Sequence, residues 1–319
     1  MDFRTKTVVD QPLVSVVVLS YNYAAYVLDT LDSIYNQTYP HIEFFIVDDC
    51  STDESVELIK QWIEDNDVEV SFTVHAVNRG RNPAINSFLA KAKGKYIVIF
   101  ASDDEMNPRR IEEQVKLMEN AGEEYSVCYS DAELMNEQGE YRGLYSQRIN
   151  SPFLTGNVFE EFYFEKFHMA APTIMFRKSI YDRVGHYDPR LTAEDYDMWM
   201  RILPLAKVIF SDYIATKYRI RENENLTPSH KFNLQQWYHK DRIIIYNKLV
   251  RLLQKLEKWP NVQDAASRKI KYHLIQLQKL KSPYFSQMIS FLLKNYYYKI
   301  PAVELIWRRF REFIPQSQK

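Results

Sequence analysis

Three polar clusters in this sequence combine residue types that could do chemistry. They are Ser20-Tyr21-Asn22, Asp48-Asp49-Cys50-Ser51-Thr52-Asp53 and Ser102-Asp103-Asp104-Glu105. Grouped carboxylates repel a phosphorylated ligand unless a cation stands between them. A hard ion such as Mg2+ or Mn2+ takes one or two protein carboxylates and completes its shell with diphosphate oxygens and water. Asp103 and Asp104 suit that role. Asp48 and Asp49 are better suited to accept hydrogen bonds from a base or ribose, because an ionised carboxylate is a strong acceptor. An Asx turn leading into Ser51 is compatible with that use.

Other chemistries lack their signatures. The seven glycines include no G-x-G pair and no G-x-x-x-x-G-K, so dinucleotide and P-loop phosphate cradles are unsupported. Neither G-x-S-x-G nor H-E-x-x-H occurs. Cys50 and Cys128 are the only cysteines and lack C-x-x-C spacing, which suggests neither a disulfide framework nor a thiolate zinc site.

The elements that must position these clusters read as alternating strands and helices over the first 130 residues, the pattern of βαβ units and a mainly parallel sheet. The run from Leu13 to Leu19 is apolar almost throughout, as in a strand covered on both faces. Further strands are expected at Ile42 to Val47, Val70 to Val74 and Tyr96 to Phe100. Helical spacing links Ala24, Val27, Leu28, Leu31, Ile34 and Tyr35. Ser51 and Glu54 have capping-box spacing ahead of a second helix, and Asn107-Pro108 is expected to open another. In an open α/β sheet, ligands sit beyond the carboxyl ends of strands, where all three polar clusters fall. Residues 130 to 165 show no clear period and read as loop with short elements. Beyond about residue 231 the pattern is helical, with Pro260, Pro283 and Pro301 as expected breaks.

The segments VSVVVLSYNYAAYVLDTLDSI, IEFFIVDDCSTDES, NRGRNPAINSFLAKAKGKYIVIFASDDEMNPRRIE, PTIMFRKSIYDRVGHYD and LTAEDYDMWMRI follow one another over roughly residues 12 to 221. In type and order they resemble the GT-A, family 2 inverting glycosyltransferases. The resemblance implies an α/β GT-A fold, Rossmann-like with a mainly parallel sheet flanked by helices, over residues 1–230. A basic, aromatic-rich helical region is expected over residues 231–319. It also implies that Ser20, Tyr21, Asn22 and Asp49 contact the uracil and ribose of a UDP-sugar, that Asp48 belongs to the same nucleoside-recognition element, and that Arg79 lies against the nucleotide. Asp103 takes the last position of the family's D-x-D metal motif, whose first Asp is here Ala101. Where the family often has a His after Y-R-I, this chain has Arg221, which with Arg219 is expected to balance diphosphate charge. The Asp of the Glu194-Asp195 pair becomes the expected general base. Thr192 and Asp195 also have N-cap and N3 spacing, which by itself would make the acid a helix cap.

Direct displacement by an acceptor hydroxyl would invert the anomeric configuration, with Mn2+ or Mg2+ neutralising the leaving diphosphate. The expected acceptor is a glycan or lipid-linked glycan of surface polysaccharide assembly. A sugar-nucleotide-binding module without catalysis is the alternative.

Composition adds a location. The chain has 319 residues, 46% of them hydrophobic, and a net charge of -1 that hides an asymmetry. Residues 231–319 hold 18 Lys and Arg against 5 Asp and Glu, a net +13, which leaves 23 against 37 before them, a net -14. With Tyr296-Tyr297-Tyr298 and Ile306-Trp307-Arg308-Arg309-Phe310, this basic region is expected to meet an anionic membrane surface rather than nucleic acid. No long apolar span and no secretory leader pattern is present, so the expected location is cytoplasmic, peripheral on the inner face of the membrane.

Overall fold

The computed structural model describes residues 11–221 and 232–295. Among them, residues 11–189 and 205–221 form one compact unit, and residues 190–204 and 232–295 form another.

The first unit is built on a mixed sheet. Its strands, in chain order, are β1 (Val14–Ser20), β2 (Ile42–Asp48), β3 (Val70–Val74), β4 (Tyr96–Ala101), β5 (Glu105–Met106), β6 (Tyr125–Met135), β7 (Tyr141–Leu144), β8 (Met175–Arg177) and β9 (Lys207–Arg219). They lie in the order β3-β2-β1-β4-β8-β6-β9-β5, with β7 beside β6. β3, β2, β1 and β4 are parallel throughout, and β6 and β9 are parallel to each other. Antiparallel β8 joins these two halves.

The apolar run at the start of the chain becomes β1, whose Val14, Val16, Val17 and Val18 are all fully buried because helices cover both faces of the sheet. On one face, α1 (Val27–Tyr35), α2 (Ser55–Asn66) and α4 (Arg110–Asn120) contribute Leu31, Ile34, Ile59, Trp62, Ile111 and Met118 to a common core with Val14, Val16 and Val18. Each such buried side chain contributes about 1.5–3 kcal/mol. Trp62 also donates from Nε1 to Asp32 at 2.7 Å, tying α2 to α1. α3 (Arg81–Leu89) packs Phe88 edge-on against Phe45 of β2 at 5.0 Å.

Local details differ from the sequence expectation for identifiable reasons. The Ser51–Glu54 capping box does not form, because the Ser51 hydroxyl donates to Asp48 and accepts the Asn22 amide. α2 begins at Ser55, with Asp53 accepting the Ser55 amide at 3.0 Å. α4 begins two residues beyond Pro108, while Asn107 holds the chain by donating to Ile214 O. Most of β6 lies where a loop is expected. Its Ser126, Ser130 and Asp131 are buried, so alternation of apolar and polar residues is lost. The remainder of the segment contains β7, α5 (Tyr145–Ile149) and α6 (Phe159–Tyr163), followed by α7 (Ile180–Val184).

The second unit is helical: α8 (Glu194–Ile202), α9 (Phe232–Leu256), α10 (Pro260–Lys279) and α11 (Tyr284–Asn295). Ile243, Leu249 and Leu253 of α9, Val262, Ile270 and Leu274 of α10, and Leu292 of α11 are among its buried apolar residues. Pro260 opens α10 in the first turn, where a missing N–H costs nothing, and Pro283 precedes α11. α8 belongs to this unit through polar anchors. Asp241 of α9 accepts the Thr192 amide and hydroxyl at 2.7 and 2.6 Å, and Lys248 reaches Asp197 at 3.0 Å. Pro301, Tyr296-Tyr297-Tyr298 and Ile306 to Phe310 lie outside the described residues.

Candidate active site

The parallel strands β1, β2 and β4 all end at one edge of the first unit, and a cavity of about 240 Å3 opens there. Ser20, Tyr21, Asp49, Asn78, Arg81 and Ala101 are among its lining residues. The hydroxyls of Ser20 and Ser102, at the ends of adjacent strands, are buried and have no hydrogen-bond partner among the described residues. Buried polar groups in folded proteins are nearly always paired, so orphan hydroxyls at a strand edge mark a place with a use beyond packing.

The expected nucleoside-recognition residues have divided duties. Asp48 accepts the amide and hydroxyl of Ser51, forming the Asx-type turn that sequence left open beside a binding role. Asn22, at φ +59°, accepts the Thr52 amide at 2.8 Å and so braces the end of β1 against the end of β2. Asp49 is more heavily engaged. Its Oδ1 accepts the Arg79 amide at 2.9 Å and lies 2.7 Å from His75 Nδ1, while its Oδ2 accepts the Gly80 amide at 2.6 Å. Three donors on one carboxylate fix the Asn78-Arg79-Gly80 turn from which α3 starts.

That turn decides which arginine meets the cavity. Gly80 has φ +82° and ψ 167°, a region open to glycine and strained for other residues. Both arginines are exposed, but Arg81, the first residue of α3, is among the cavity's lining residues and Arg79 is not. Sequence reasoning selected Arg79 and missed Arg81 and His75. Its only signal was the pair of arginines flanking Gly80.

The acidic cluster after β4 is buried and bonded. Asp103 Oδ2 pairs with Arg221 Nη2 at 2.8 Å. Burial nevertheless raises the Asp103 carboxyl above the ordinary range, against the pull of Arg221. Asp104 is almost fully buried, and its Oδ1 accepts the Arg219 amide at 2.8 Å. Burial and the neighbouring Asp103 hold its carboxyl well above the usual range. Arg219 spends its guanidinium on Asp103 O, Asn136 O and Glu137 O, with Tyr26 beneath it at 4.4 Å. It lines a second cavity, of about 520 Å3, with Tyr26, Asp29, Asp32, Glu105 and Lys217. Arg221 stacks over Tyr23, a residue of the first cavity wall, at 4.6 Å.

Glu194 and Asp195 open α8 in the second unit. Ala193 is the N-cap and no side chain caps the helix. Thr192 gives its hydroxyl to Asp241, so the N-cap and N3 pairing that its spacing allowed is not made. Among the described residues no group of three or more His, Cys, Asp or Glu is arranged to hold a metal ion.

Residues 15–185 match the protein-family model described as glycosyl transferase family 2. Over 233 residues the chain is 30% identical to an uncharacterized glycosyltransferase of Methanocaldococcus jannaschii, spanning 72% of this chain and 78% of that one. Its fold is similar to that of S. aureus TarS in complex with UDP-GlcNAc, with a TM-score of 0.56 and 19% identity over 93% of this chain and 92% of that one. The mannosyltransferase PcManGT from Pyrobaculum calidifontis, in complex with GDP-Man and Mn2+, gives a TM-score of 0.55 and 18% identity over 96% and 81%.

Proposed function

The chain belongs to glycosyl transferase family 2, and from that premise we propose that it moves a sugar from a UDP-sugar to a hydroxyl of a glycan or lipid-linked glycan acceptor in surface polysaccharide synthesis. The observation that carries this reading is the cavity at the carboxyl ends of β1, β2 and β4. There Tyr21, Asp49 and Arg81 meet beside two orphan hydroxyls. The open end of a parallel sheet is where this architecture binds nucleotides.

In the proposed reaction the acceptor oxygen bonds to the anomeric carbon as the carbon–oxygen bond to the diphosphate breaks. The electron pair leaves on the β-phosphate oxygen of UDP, and the acceptor proton passes to the Asp195 carboxylate. A single in-line displacement inverts the anomeric centre, so an α-linked donor gives a β-linked product. Glu194 accompanies the base at the start of α8. Tyr21 and the Asp49-held turn bind the nucleoside, with Ser20 and Asn22 shaping the floor between β1 and β2.

The residues at the expected cation position do not fit a divalent ion. Asp103 is committed to Arg221, Asp104 is buried against the Arg219 amide, and Ala101 stands where the family motif has its first carboxylate.

The basic C-terminal region supports an anionic membrane surface as a partner. Residues 232–295 alone carry 12 Lys and Arg against 3 Asp and Glu. Among the described residues no helix is long and apolar enough to cross a membrane.

The test is UDP release by the purified chain across a panel of UDP-sugars and glycan acceptors. Acceptor-dependent release supports the proposal. Nucleotide binding without turnover of any donor would favour the non-catalytic module.

A further inference from the structure

One guanidinium is bonded to the carboxylate that the family motif would give to a metal, and the charge of a second acts on it. Arg221 is bonded to Asp103 at 2.8 Å, and its plane is set by Tyr23 at 4.6 Å and Tyr26 at 5.7 Å. Arg81, the first residue of α3, lines the cavity, and its charge acts on both Asp103 and Asp104. Ala101, in the same cavity wall, brings a methyl group where a second ligand carboxylate would be needed.

We propose that Arg221 and Arg81 stand in for the divalent cation, neutralising the donor diphosphate and the charge that grows on departing UDP, so that donor binding and transfer need no metal. This rests on reading the cavity as a nucleotide-sugar site. The electrostatics are consistent with it. Arg81 and Arg221 set two positive charges against the carboxylates of Asp103 and, in the cavity wall, Asp49, whereas carboxylates alone would repel a diphosphate. A guanidinium is also the side chain whose donor fork matches phosphate oxygens, and it stays charged at any working pH. Stacking on Tyr23 and Tyr26 orients Arg221 in advance, so little rotamer freedom is lost when a phosphate oxygen competes with Asp103 for it. On this proposal Asp103 keeps the guanidinium in place rather than ligating an ion, and Asp104 anchors the strand that carries Arg219 and leads into Arg221.

The experiment is calorimetric titration of the full chain with UDP, and with GDP as a second diphosphate probe, after exhaustive treatment with EDTA and again with added Mn2+. Binding in EDTA that changes by no more than a factor of about two on adding Mn2+ is the expected result. Arg221→Ala should weaken that metal-free binding by about tenfold or more. If Arg221→Ala loses its cooperative melting transition, Arg81→Ala is read in its place with the same expected loss. Nucleotide binding that appears only with Mn2+, or affinity unchanged in the folded arginine variants, overturns the proposal. Failure of both nucleotides to bind under either condition overturns the nucleotide-sugar reading itself, a distinct result.

Discussion

The Asp49 carboxylate, just past the end of β2, accepts the Gly80 amide at 2.6 Å and the Arg79 amide at 2.9 Å, holding the turn from which α3 begins at Arg81. A side chain expected from sequence to contact the nucleoside is engaged here in shaping the loop from which α3 starts.

Asp49→Asn offers an NH2 group where one carboxylate oxygen now accepts, so at least one of the Arg79 and Gly80 amides loses its partner. Hydrogen bonds to a charged group are worth about 1.5–3 kcal/mol each, and a loss of that order is expected in urea unfolding. UDP affinity should fall with it, by about tenfold. Unchanged UDP titrations with a stable Asn variant would show that the loop does not depend on the carboxylate.

Gly80→Ala tests the same loop through the backbone. A Cβ built at Gly80 meets nothing within 4 Å, so any effect is conformational. At φ +82° the cost should be about 1–3 kcal/mol, seen as a fall in melting temperature of several degrees. A melting curve superimposable on that of the parent chain would refute the strain argument.

Asp195→Asn removes the proposed proton acceptor and leaves the donor cavity intact. Transfer should fall by about 100-fold to 10,000-fold while UDP affinity is unchanged. Initial rates and a UDP titration on the same preparation separate the two effects, and transfer at the parental rate would remove Asp195 from the mechanism.

In the helical unit, His273 is buried with its Nδ1 2.8 Å from His239 Nδ1. Burial, then the nearby His239, Arg242 and Lys269, pushes its pKa down to about 3, and burial alone lowers that of His239. The unfolded chain therefore binds protons that the folded unit refuses. Stability is fully present above the ordinary histidine pKa of 6.5 and is lost as pH falls from there toward 3. The expected slope is about 1.4 kcal/mol per pH unit for one such proton. Urea midpoints at neutral and mildly acidic pH should show this, and His273→Gln should flatten the dependence. Identical pH dependence in the variant would assign the acid sensitivity elsewhere.

Membrane attachment through the basic region predicts co-sedimentation with anionic phospholipid vesicles, weakened by added salt, and none with neutral vesicles. Equal recovery with both kinds of vesicle would point to apolar rather than electrostatic attachment.

Much of the parallel β3-β2-β1-β4 half of the fold was legible in the residues. β1 announced itself because a strand buried on both faces must be apolar along its whole length, and α1 because its core stripe repeats at helical spacing. β6 hid for the opposite reason. Its inward polar groups are satisfied inside the fold: Ser130 donates to Asp131 O and accepts the Ala215 amide, and Asp131 accepts the amides of Ala132 and Ser146. A buried, satisfied serine looks like a surface serine in a one-dimensional pattern. At the site, the type and chain position of Asp49 and Asp103 were readable, but their partners were not. His75 reaches Asp49 across 26 positions of chain and Arg221 reaches Asp103 across 118, contacts that only the folded sheet creates.

The Thr192–Asp241 link has a practical side. The stretch bearing Glu194 and Asp195 is fastened to α9, and Lys248 of that helix neutralises Asp197 one turn farther along α8. Anyone trimming this protein after residue 224 to obtain a smaller enzyme would cut away the support of its proposed proton acceptor. The tail is therefore not a detachable address label. Shortening it should silence the chemistry before it alters where the protein goes.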